Sequence, residues 1–171
     1  VVFSTIGVFI GFTLFQMDMS ILMVGIGIIS LAGIVVNNAI VLIDYTNLLR
    51  KRHREEMGMD RDEVLPFNEM VESIVEAGKT RFRPVILTAI TTILGLVPLA
   101  LGINIDFYGL LADFNPNIYM GGDSAIFWGP MSWTIIFGLT FATFLTLVIV
   151  PVMYLLSDRL NRWVRKLFGA L

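Results

Sequence analysis

Polar side chains inside long apolar stretches are the residues through which this sequence could do chemistry. Asn37 and Asn38 stand side by side within 19–43, a stretch without Asp, Glu, Lys or Arg, and Asp44 follows it directly. In a helix, Asn37 and Asp44 share a face because seven residues make nearly two turns. The amides of Asn37 and Asn38 point about 100° apart, so one tight helix contact does not satisfy both. This pattern favours a polar pathway that faces partners on other helices.

A structural role is the open alternative for these residues. Asp44 lies six residues before the basic run that starts at Arg50, so its carboxylate could reach the headgroups from an interfacial position. A second polar stripe combines Arg81, Thr88 and Thr92 with Gly95. Small and hydroxyl residues mainly let membrane helices approach closely and hydrogen-bond across the contact. On this basis the residues assigned to helix packing are Gly7, Gly11, Gly33, Gly95, Gly138 and Ala142.

Four stretches without any Asp, Glu, Lys or Arg must position these side chains. They cover 1–17, 19–43, 84–105 and 124–157. Each is long enough to cross ~30 Å of hydrocarbon, which takes a helix of roughly 17–25 residues. We therefore predict an all-α integral membrane protein with four transmembrane helices, at about 1–17, 20–49, 84–102 and 129–157. Ser20 is a suitable N-cap for the second helix, and Gly129-Pro130 a suitable start for the fourth.

The composition excludes several other classes of protein. Of the 171 residues, 56% are hydrophobic and 15% are charged, against about 25% charged in soluble domains. The apolar content excludes intrinsic disorder, and a formal net charge of −2 without a basic face excludes a nucleic-acid binder. A chain with no cysteine forms no disulfide, thiolate metal site or cysteine nucleophile. Because it opens on Val1 rather than an initiator Met, we expect a piece of a longer protein.

Basic residues are confined to two segments and predict the orientation in the membrane. All 12 Lys and Arg residues lie in 50–83 or 159–166. By the positive-inside rule, the connector 50–83 and the C-terminus face the cytoplasm, whereas the 16–20 turn and the 102–129 loop face outward. Aromatic residues concentrate in the outward loop. They suit either an interfacial belt or a contact site for further domains or a neighbouring protomer.

The connector 50–83 carries its own helical signal. Apolar residues recur at i, i+3, i+4, i+7 and i+8 from Phe67, which predicts an amphipathic helix on the inner membrane surface that ends at Gly78. This helix is either a plain tether or a lever between membrane helices. The third membrane helix then starts at Pro84. His53, the single histidine, lies among charged neighbours and is expected to be solvated.

Enzymatic and metal-binding motifs fail on inspection. The GKT sequence at 78–80 is similar to the end of a P-loop, but Ser73 stands where the first glycine belongs. The stretch from Asp113 is similar to the start of a calcium loop, but Ile118 replaces its required glycine. The sequence therefore predicts neither an enzyme nor a metal or cofactor site.

Several of these segments resemble one known family. Residues 33–45, GIVVNNAIVLIDY, resemble the tenth transmembrane helix of resistance–nodulation–division (RND) efflux permeases, and 81–98, RFRPVILTAITTILGLVP, resemble the eleventh. Residues 138–154 resemble the twelfth helix, and 1–16 would be the ninth. The resemblance covers nearly the whole chain except the 102–129 loop. It implies the last four helices of a hydrophobe/amphiphile multidrug exporter, which is half of a larger helical bundle.

The resemblance carries further expectations about the whole protein. RND permeases are homotrimeric proton antiporters of the bacterial inner membrane, and they expel drugs or other toxic amphiphiles from Gram-negative cells. Their partners are the remainder of the permease chain, the lipid bilayer, a periplasmic adaptor and an outer-membrane channel. They need no cofactor beyond the proton gradient. Related proton-driven proteins export lipids or proteins, which is the alternative function, and the isolated segment is expected to be inactive.

The resemblance also assigns residues to a proton relay. In the family, two aspartates on the fourth helix work with a lysine on the tenth and a threonine on the eleventh. Thr88 matches that threonine, and Arg81 matches a family arginine near the cytoplasmic mouth. The lysine position is occupied by Asn37, with Asn38 and Asp44 completing the polar face. Because an amide carries no charge, Asn37 can only hydrogen-bond, and charge compensation in the relay must come from elsewhere.

Overall fold

Long apolar helices and one pair of short strands form the described part of the chain. The computed structural model describes residues 2–59, 66–105 and 118–168. Within them, helix α1 spans Val2–Leu14, α2 Ile21–Glu56, α3 Phe67–Ala100 and α4 Asp123–Phe168. Strand β1, Ile103–Ile105, pairs antiparallel with β2, Ile118–Met120. Helices α2, α3 and α4 are long and apolar enough to cross a membrane, and α1 is a shorter apolar helix. The predicted all-α membrane class is confirmed.

Helix α3 differs from the prediction because the amphipathic helix and the third membrane helix are one element. Gly78 does not end a helix and Pro84 does not start one, since both lie inside α3. A helical glycine costs about 1 kcal/mol and a proline removes one backbone hydrogen bond. Packing outweighs these penalties, because Met70 and Ala77 before Pro84 and Val85 after it are all buried.

Two other helices are longer than their apolar stretches predicted. Helix α2 begins after Ser20, whose carbonyl accepts from Val24 N, and it continues through the basic run to Glu56 instead of ending near 49. Helix α4 begins at Asp123 instead of at 129, since a carboxylate in the first turn is favourable to the helix dipole. Residues 60–65 of the connector and 106–117 of the predicted outward loop lie outside the described residues.

The chain divides into two compact units. Unit 1 comprises Val1–Val35 and Leu87–Thr143, and unit 2 comprises Val36–Ile86 and Phe144–Leu171. The core of unit 1 is built from α1, α2, α3 and α4. Its buried members are Val8, Phe12, Val24, Leu31, Val35, Ala89, Leu139 and Ala142. Around this core the Phe137 ring stacks on Phe15 at 5.2 Å and on Trp133 at 5.2 Å between ring centroids.

The β1–β2 end of unit 1 is held by side-chain hydrogen bonds. Gly102 ends α3 with a positive φ of 66°, a conformation that favours glycine. Asn104 Nδ2 donates to the carbonyl of Gly121 at 2.5 Å and to that of Gly102 at 3.2 Å. Trp133 Nε1 donates to the Ala100 carbonyl at 3.1 Å and so joins α4 to the end of α3. These hydrogen bonds therefore connect the residues that flank the two strands.

Unit 2 buries a mixed apolar and polar face. On α2, the buried residues of this unit are Leu42, Thr46 and Leu49. The buried α3 residues of this unit are Met70, Ser73, Ile74, Ala77 and Val85. The Thr46 hydroxyl donates to the Leu42 carbonyl at 2.8 Å, which satisfies its hydrogen bond within the helix.

Candidate functional site

The predicted polar pathway on α2 is open to its surroundings. Asn37 and Asp44 are exposed and Asn38 is half-buried, all three in unit 2. The part of the chain that the structure describes supplies no side-chain hydrogen-bond partner for Asn37 or Asp44. Amides on an apolar membrane helix without partners are costly. The described residues therefore leave the hydrogen-bonding groups of Asn37 unsatisfied.

Thr88 lies on α3 in unit 1 and is exposed. Its backbone carbonyl accepts from the hydroxyl of Thr92 at 2.8 Å and from that of Thr91 at 3.0 Å. Thr91 and Thr92 thus satisfy their hydroxyls within α3. Thr88 is an exposed residue of this helix, at the position that the resemblance assigns to the relay.

Arg81 on α3 is brought against Tyr45 on α2. The guanidinium carbon lies 4.4 Å from the centroid of the Tyr45 ring, a cation–π contact within unit 2. The Arg81 Nε is buried and has no hydrogen-bond partner among the described residues. The sequence assigned Arg81 a role near the cytoplasmic mouth, but nothing in the helix periodicity pointed to Tyr45 as its neighbour.

Four residues that the sequence did not single out form a hydrogen-bonded cluster, here named the α2–α4 clamp: Asn47, Arg50, Tyr154 and Asp158. Arg50 Nη1 donates to the Tyr154 hydroxyl at 2.7 Å, and that hydroxyl donates to Asn47 Oδ1 at 2.5 Å. Arg50 Nη2 pairs with Asp158 Oδ1 at 3.2 Å. The side chains of Arg50 and Asp158 are 17% and 12% exposed, so the pair is largely shielded from solvent. The clamp joins the basic end of α2 to α4 within unit 2.

His53 is not solvated as the sequence predicted. It is half-buried on α2, and its Nδ1 lies 2.9 Å from Oγ of Ser73, a fully buried residue of α3. The Ser73 hydroxyl donates to the Glu69 carbonyl at 2.8 Å. Its oxygen is therefore left to accept from His53, which places a proton on Nδ1. Glu69 Oε2 lies 4.0 Å from the same nitrogen. The continuous α3 is what brings these side chains to α2.

Replacing Ser73 by alanine is expected to lower the free energy of unfolding by about 1 kcal/mol, because Nδ1–H of His53 loses a buried acceptor. The measurement is thermal unfolding of the purified protein in detergent. Ser157→Ala is the matched control, since Ser157 is an exposed serine on α4. A Ser73→Ala variant as stable as the control would contradict this hydrogen bond.

The glycines assigned to packing fall into two groups. Gly7, Gly11 and Gly138 are buried in unit 1, where an added side chain would collide with Phe141, Phe137 and Leu31 respectively. Ala142 is buried in the same core. By contrast, an added side chain at Gly33 or Gly95 would meet no atom within 4 Å among the described residues. These two glycines are therefore open surface in this chain.

The described residues hold no group of three or more His, Cys, Asp or Glu side chains that could bind a metal ion. They carry neutral polar side chains such as Asn37 on apolar helices, and basic residues from Arg50 onward near the end of α2. The sequence model of the AcrB/AcrD/AcrF family matches residues 1–105, more than half of the chain. The chain belongs to the AcrB/AcrD/AcrF family. The resemblance to RND permeases is thereby confirmed, and the chain is a membrane segment of such a permease.

Relatives of this AcrB/AcrD/AcrF segment carry different names. Swarming motility protein SwrC of Bacillus subtilis (strain 168) is 42% identical over 129 residues, 75% of this chain and 9% of SwrC. Multidrug resistance protein MdtC of Erwinia tasmaniensis is 33% identical over 157 residues, 92% of this chain and 12% of MdtC. MdtC of Escherichia coli O139:H28 is 32% identical over 162 residues, 94% of this chain. The chain thus spans about 9–13% of the length of these relatives. No solved structure matches it.

Proposed function

We propose that this segment is the C-terminal membrane part of a secondary active transporter that exports drugs or other toxic amphiphiles at the expense of the proton gradient. The observation that carries the proposal is the pair of amides, Asn37 and Asn38, on an apolar membrane helix of a family member. Relatives named as multidrug resistance proteins support the cargo class.

The proposal also includes the membrane location, the orientation and the partners of the permease. The basic connector and C-terminus lie in the cytoplasm and the permease is multi-pass in the inner membrane, in keeping with the confinement of Lys and Arg to 50–83 and 159–166. The functional unit is a homotrimer in a Gram-negative cell, with a periplasmic adaptor, an outer-membrane channel and the rest of the permease chain as partners. The proton gradient supplies the energy, and no cofactor is needed.

In this proposal the segment contributes polar groups to the proton pathway. Thr88 presents a hydroxyl and Asn37 an amide toward acidic side chains supplied by the remainder of the permease. Each of them can hydrogen-bond to a carboxyl group in its protonated or ionised form, because a hydroxyl and an amide both donate and accept. The rigid helices that carry them would shift as those carboxyl groups change their proton state.

We expect Thr88→Ala and Asn37→Ala in the full-length permease to lower the export rate by roughly threefold or more each, since each removes a hydrogen-bonding group from an apolar environment. The measurement is efflux of a fluorescent amphiphile from energised cells, with and without a protonophore. Thr91→Ala is the control, because Thr91 is another exposed threonine of α3 and has no assigned place in the relay. Unchanged export in both variants would rule out the assignment.

A second candidate cargo is a lipid or a protein, exported by the same proton-driven mechanism. The observation that favours it is the relative SwrC, which is named for swarming motility and not for drug resistance. A full-length permease that lowers drug susceptibility when expressed supports drug export, whereas one that changes only secreted lipid or protein supports this alternative.

A further inference from the structure

Strands β1 and β2 form a short ribbon in unit 1, named here the β1–β2 ribbon. In its antiparallel register Ile103 lies opposite Met120, and Asn104 lies opposite Tyr119. Directly opposite residues project to the same face of a ribbon, and successive residues along a strand alternate between its two faces. Ile103, Ile118 and Met120 therefore share one face, and Asn104 and Tyr119 share the other. One face of the ribbon is apolar, and the other carries the polar groups.

The apolar face of the β1–β2 ribbon is open to its surroundings. Ile118 and Met120 are 64% and 74% exposed. On the opposite face, the Asn104 amide donates to two backbone carbonyls of unit 1, so its donors are used inside the protein. An isolated pair of strands is marginally stable in water, and hydrating an apolar face costs a further ~25 cal/mol for each Å². The ribbon therefore gains from an apolar environment on the side of Ile118 and Met120.

The ribbon follows the end of a membrane-spanning helix. Residues 84–100 of α3 carry no charge, and Arg81 and Arg83 precede them. At ~1.5 Å per residue these helical residues extend about 25 Å, close to the ~30 Å of hydrocarbon that a spanning helix crosses. With the basic end at the cytoplasmic surface, Ala100 reaches the opposite surface of the membrane. Strand β1 begins three residues later, at Ile103.

A row of large apolar side chains on α3 leads along the chain into the ribbon. Leu87, Ile90 and Leu94 recur at i, i+3 and i+7, so they lie on one side of the helix. They are 47–63% exposed, and Leu101, between α3 and β1, is 48% exposed. Helix contacts inside membranes favour small residues, so a side built from leucine and isoleucine is suited to lipid chains instead. The apolar residues of the ribbon thus follow directly on a surface that is compatible with lipid.

The charge and the backbone of the ribbon limit the depth at which it can lie. Residues 101–105 and 118–122 include no Asp, Glu, Lys or Arg, so no ion leaves water when the ribbon meets lipid. The sheet has two strands within the described residues, and the free edges of such a pair present N–H and C=O groups that hydrocarbon cannot satisfy. Tyr119 and the nearby Trp128 are of the two residue types that concentrate at membrane–water interfaces. These constraints favour the boundary between headgroups and acyl chains.

We propose that the β1–β2 ribbon is a membrane anchor: its face of Ile103, Ile118 and Met120 lies against the outer leaflet of the bilayer, at the boundary between headgroups and acyl chains. The partner is the phospholipid surface, and the face of Asn104 and Tyr119 is turned toward water. The anchor fixes the level of the end of α3 and the start of α4 relative to the bilayer. This inference rests on the proposed orientation of the permease, and it adds a lipid contact that the transport proposal does not require.

The test places a fluorophore on each face of the ribbon in the full-length permease. Met120→Cys probes the apolar face, and Tyr119→Cys, the adjacent residue on the other face, is the matched control. This chain has no cysteine of its own, and any cysteine in the remainder of the permease is replaced by serine. Each variant is labelled with the fluorophore NBD and reconstituted into phosphatidylcholine–phosphatidylglycerol vesicles. The vesicles are prepared with and without a phospholipid that carries a nitroxide quencher near the headgroup end of its acyl chain.

We expect the nitroxide lipid to quench NBD at Met120→Cys at least about threefold more strongly than at Tyr119→Cys, because an interfacial amphipathic element buries only its apolar side, by ~5–10 Å. Iodide in the water should quench the two positions in the opposite order. Equal lipid quenching at both positions would contradict one-sided insertion. Strong iodide quenching at Met120→Cys would show that this face is in water, and weak quenching there by both agents would show that protein covers it. Either result overturns the anchor.

Two further variants and reagents keep the test decisive. Ile118→Cys, on the same face, replaces Met120→Cys if that variant does not accumulate in the membrane. A membrane-impermeant maleimide applied to right-side-out vesicles tests the orientation separately. If Tyr119→Cys reacts only after the vesicles are opened, the proposed orientation is wrong. Reaction in intact vesicles without lipid quenching at Met120→Cys refutes the anchor alone.

Discussion

Replacing Gly138 by valine is expected to lower the free energy of unfolding by about 1–3 kcal/mol, the usual cost of overpacking a well-filled core. An added side chain at this position would collide with Leu31 of α2 and come within 2.9 Å of Val8 of α1. Both residues are fully buried, so they have no room to move aside. Gly138 thus allows three helices to meet closely in unit 1.

The measurement for Gly138→Val is thermal or denaturant unfolding of the purified protein in detergent. Gly25→Val is the matched control, because a side chain added at Gly25 would meet no atom within 4 Å among the described residues. The control should be at least as stable as the unmodified protein, since glycine is a poor helix former. Equal stability of Gly138→Val and Gly25→Val would show that the helices do not approach as closely as the structure has them.

Replacing Asp158 by alanine is the second change expected to have a large effect, a loss of about 1.5–3 kcal/mol in the free energy of unfolding. That range is typical of hydrogen bonds to charged groups. The largely shielded guanidinium of Arg50 would lose its carboxylate and keep only the Tyr154 hydroxyl. The variant leaves a poorly solvated charge without a counter-charge, which costs more than the pair itself contributes.

Two comparisons test this account of the α2–α4 clamp by unfolding in detergent. Glu55→Ala breaks the Lys51–Glu55 pair, whose side chains are 63% and 67% exposed, and a surface pair contributes about 0–1 kcal/mol. The double variant Arg50→Met with Asp158→Leu should lose less stability than Asp158→Ala, because it removes the Arg50 charge together with its carboxylate partner. A double variant that is less stable than the single one would contradict the explanation.

Much of this fold could be predicted from the placement of charge, because a membrane-spanning helix must exclude it. The placement of charge did not predict where the helices begin and end. Gly78 and Pro84 are ordinary signals for a helix end and a helix start in a solvated chain, yet α3 runs through both. Their local cost is offset by the burial of residues on either side, such as Met70 and Val85. The helix boundaries predicted from local residue preferences were therefore wrong, because tertiary packing determines how far α3 extends.

The sequence indicated which residue types form the candidate site, but it did not indicate which side chains they contact. Asn37 stands out because polar amides are rare in apolar stretches, whereas only the family resemblance distinguished Thr88 from Thr91 and Thr92. The clamp could not be foreseen, since Arg50 and Asp158 are 108 residues apart and each also fits a solvated basic or acidic position. Gly33 and Gly138 looked alike in the sequence, but one is open surface and the other is enclosed. Spacing along one helix does not say which face meets a neighbour.

The hydrogen bonds around the β1–β2 pair make the segment between its strands a suitable place to display a foreign peptide. Ile105 and Ile118 are partners in the antiparallel register, so the chain leaves and re-enters the strand pair at one place. The Asn104 amide and the Trp133 indole donate hydrogen bonds to backbone carbonyls beside the strands. An insertion between the strands does not change the residues that carry these carbonyls. An epitope grafted between these strands would report, through antibody binding to intact spheroplasts, which side of the membrane this end of the helices occupies.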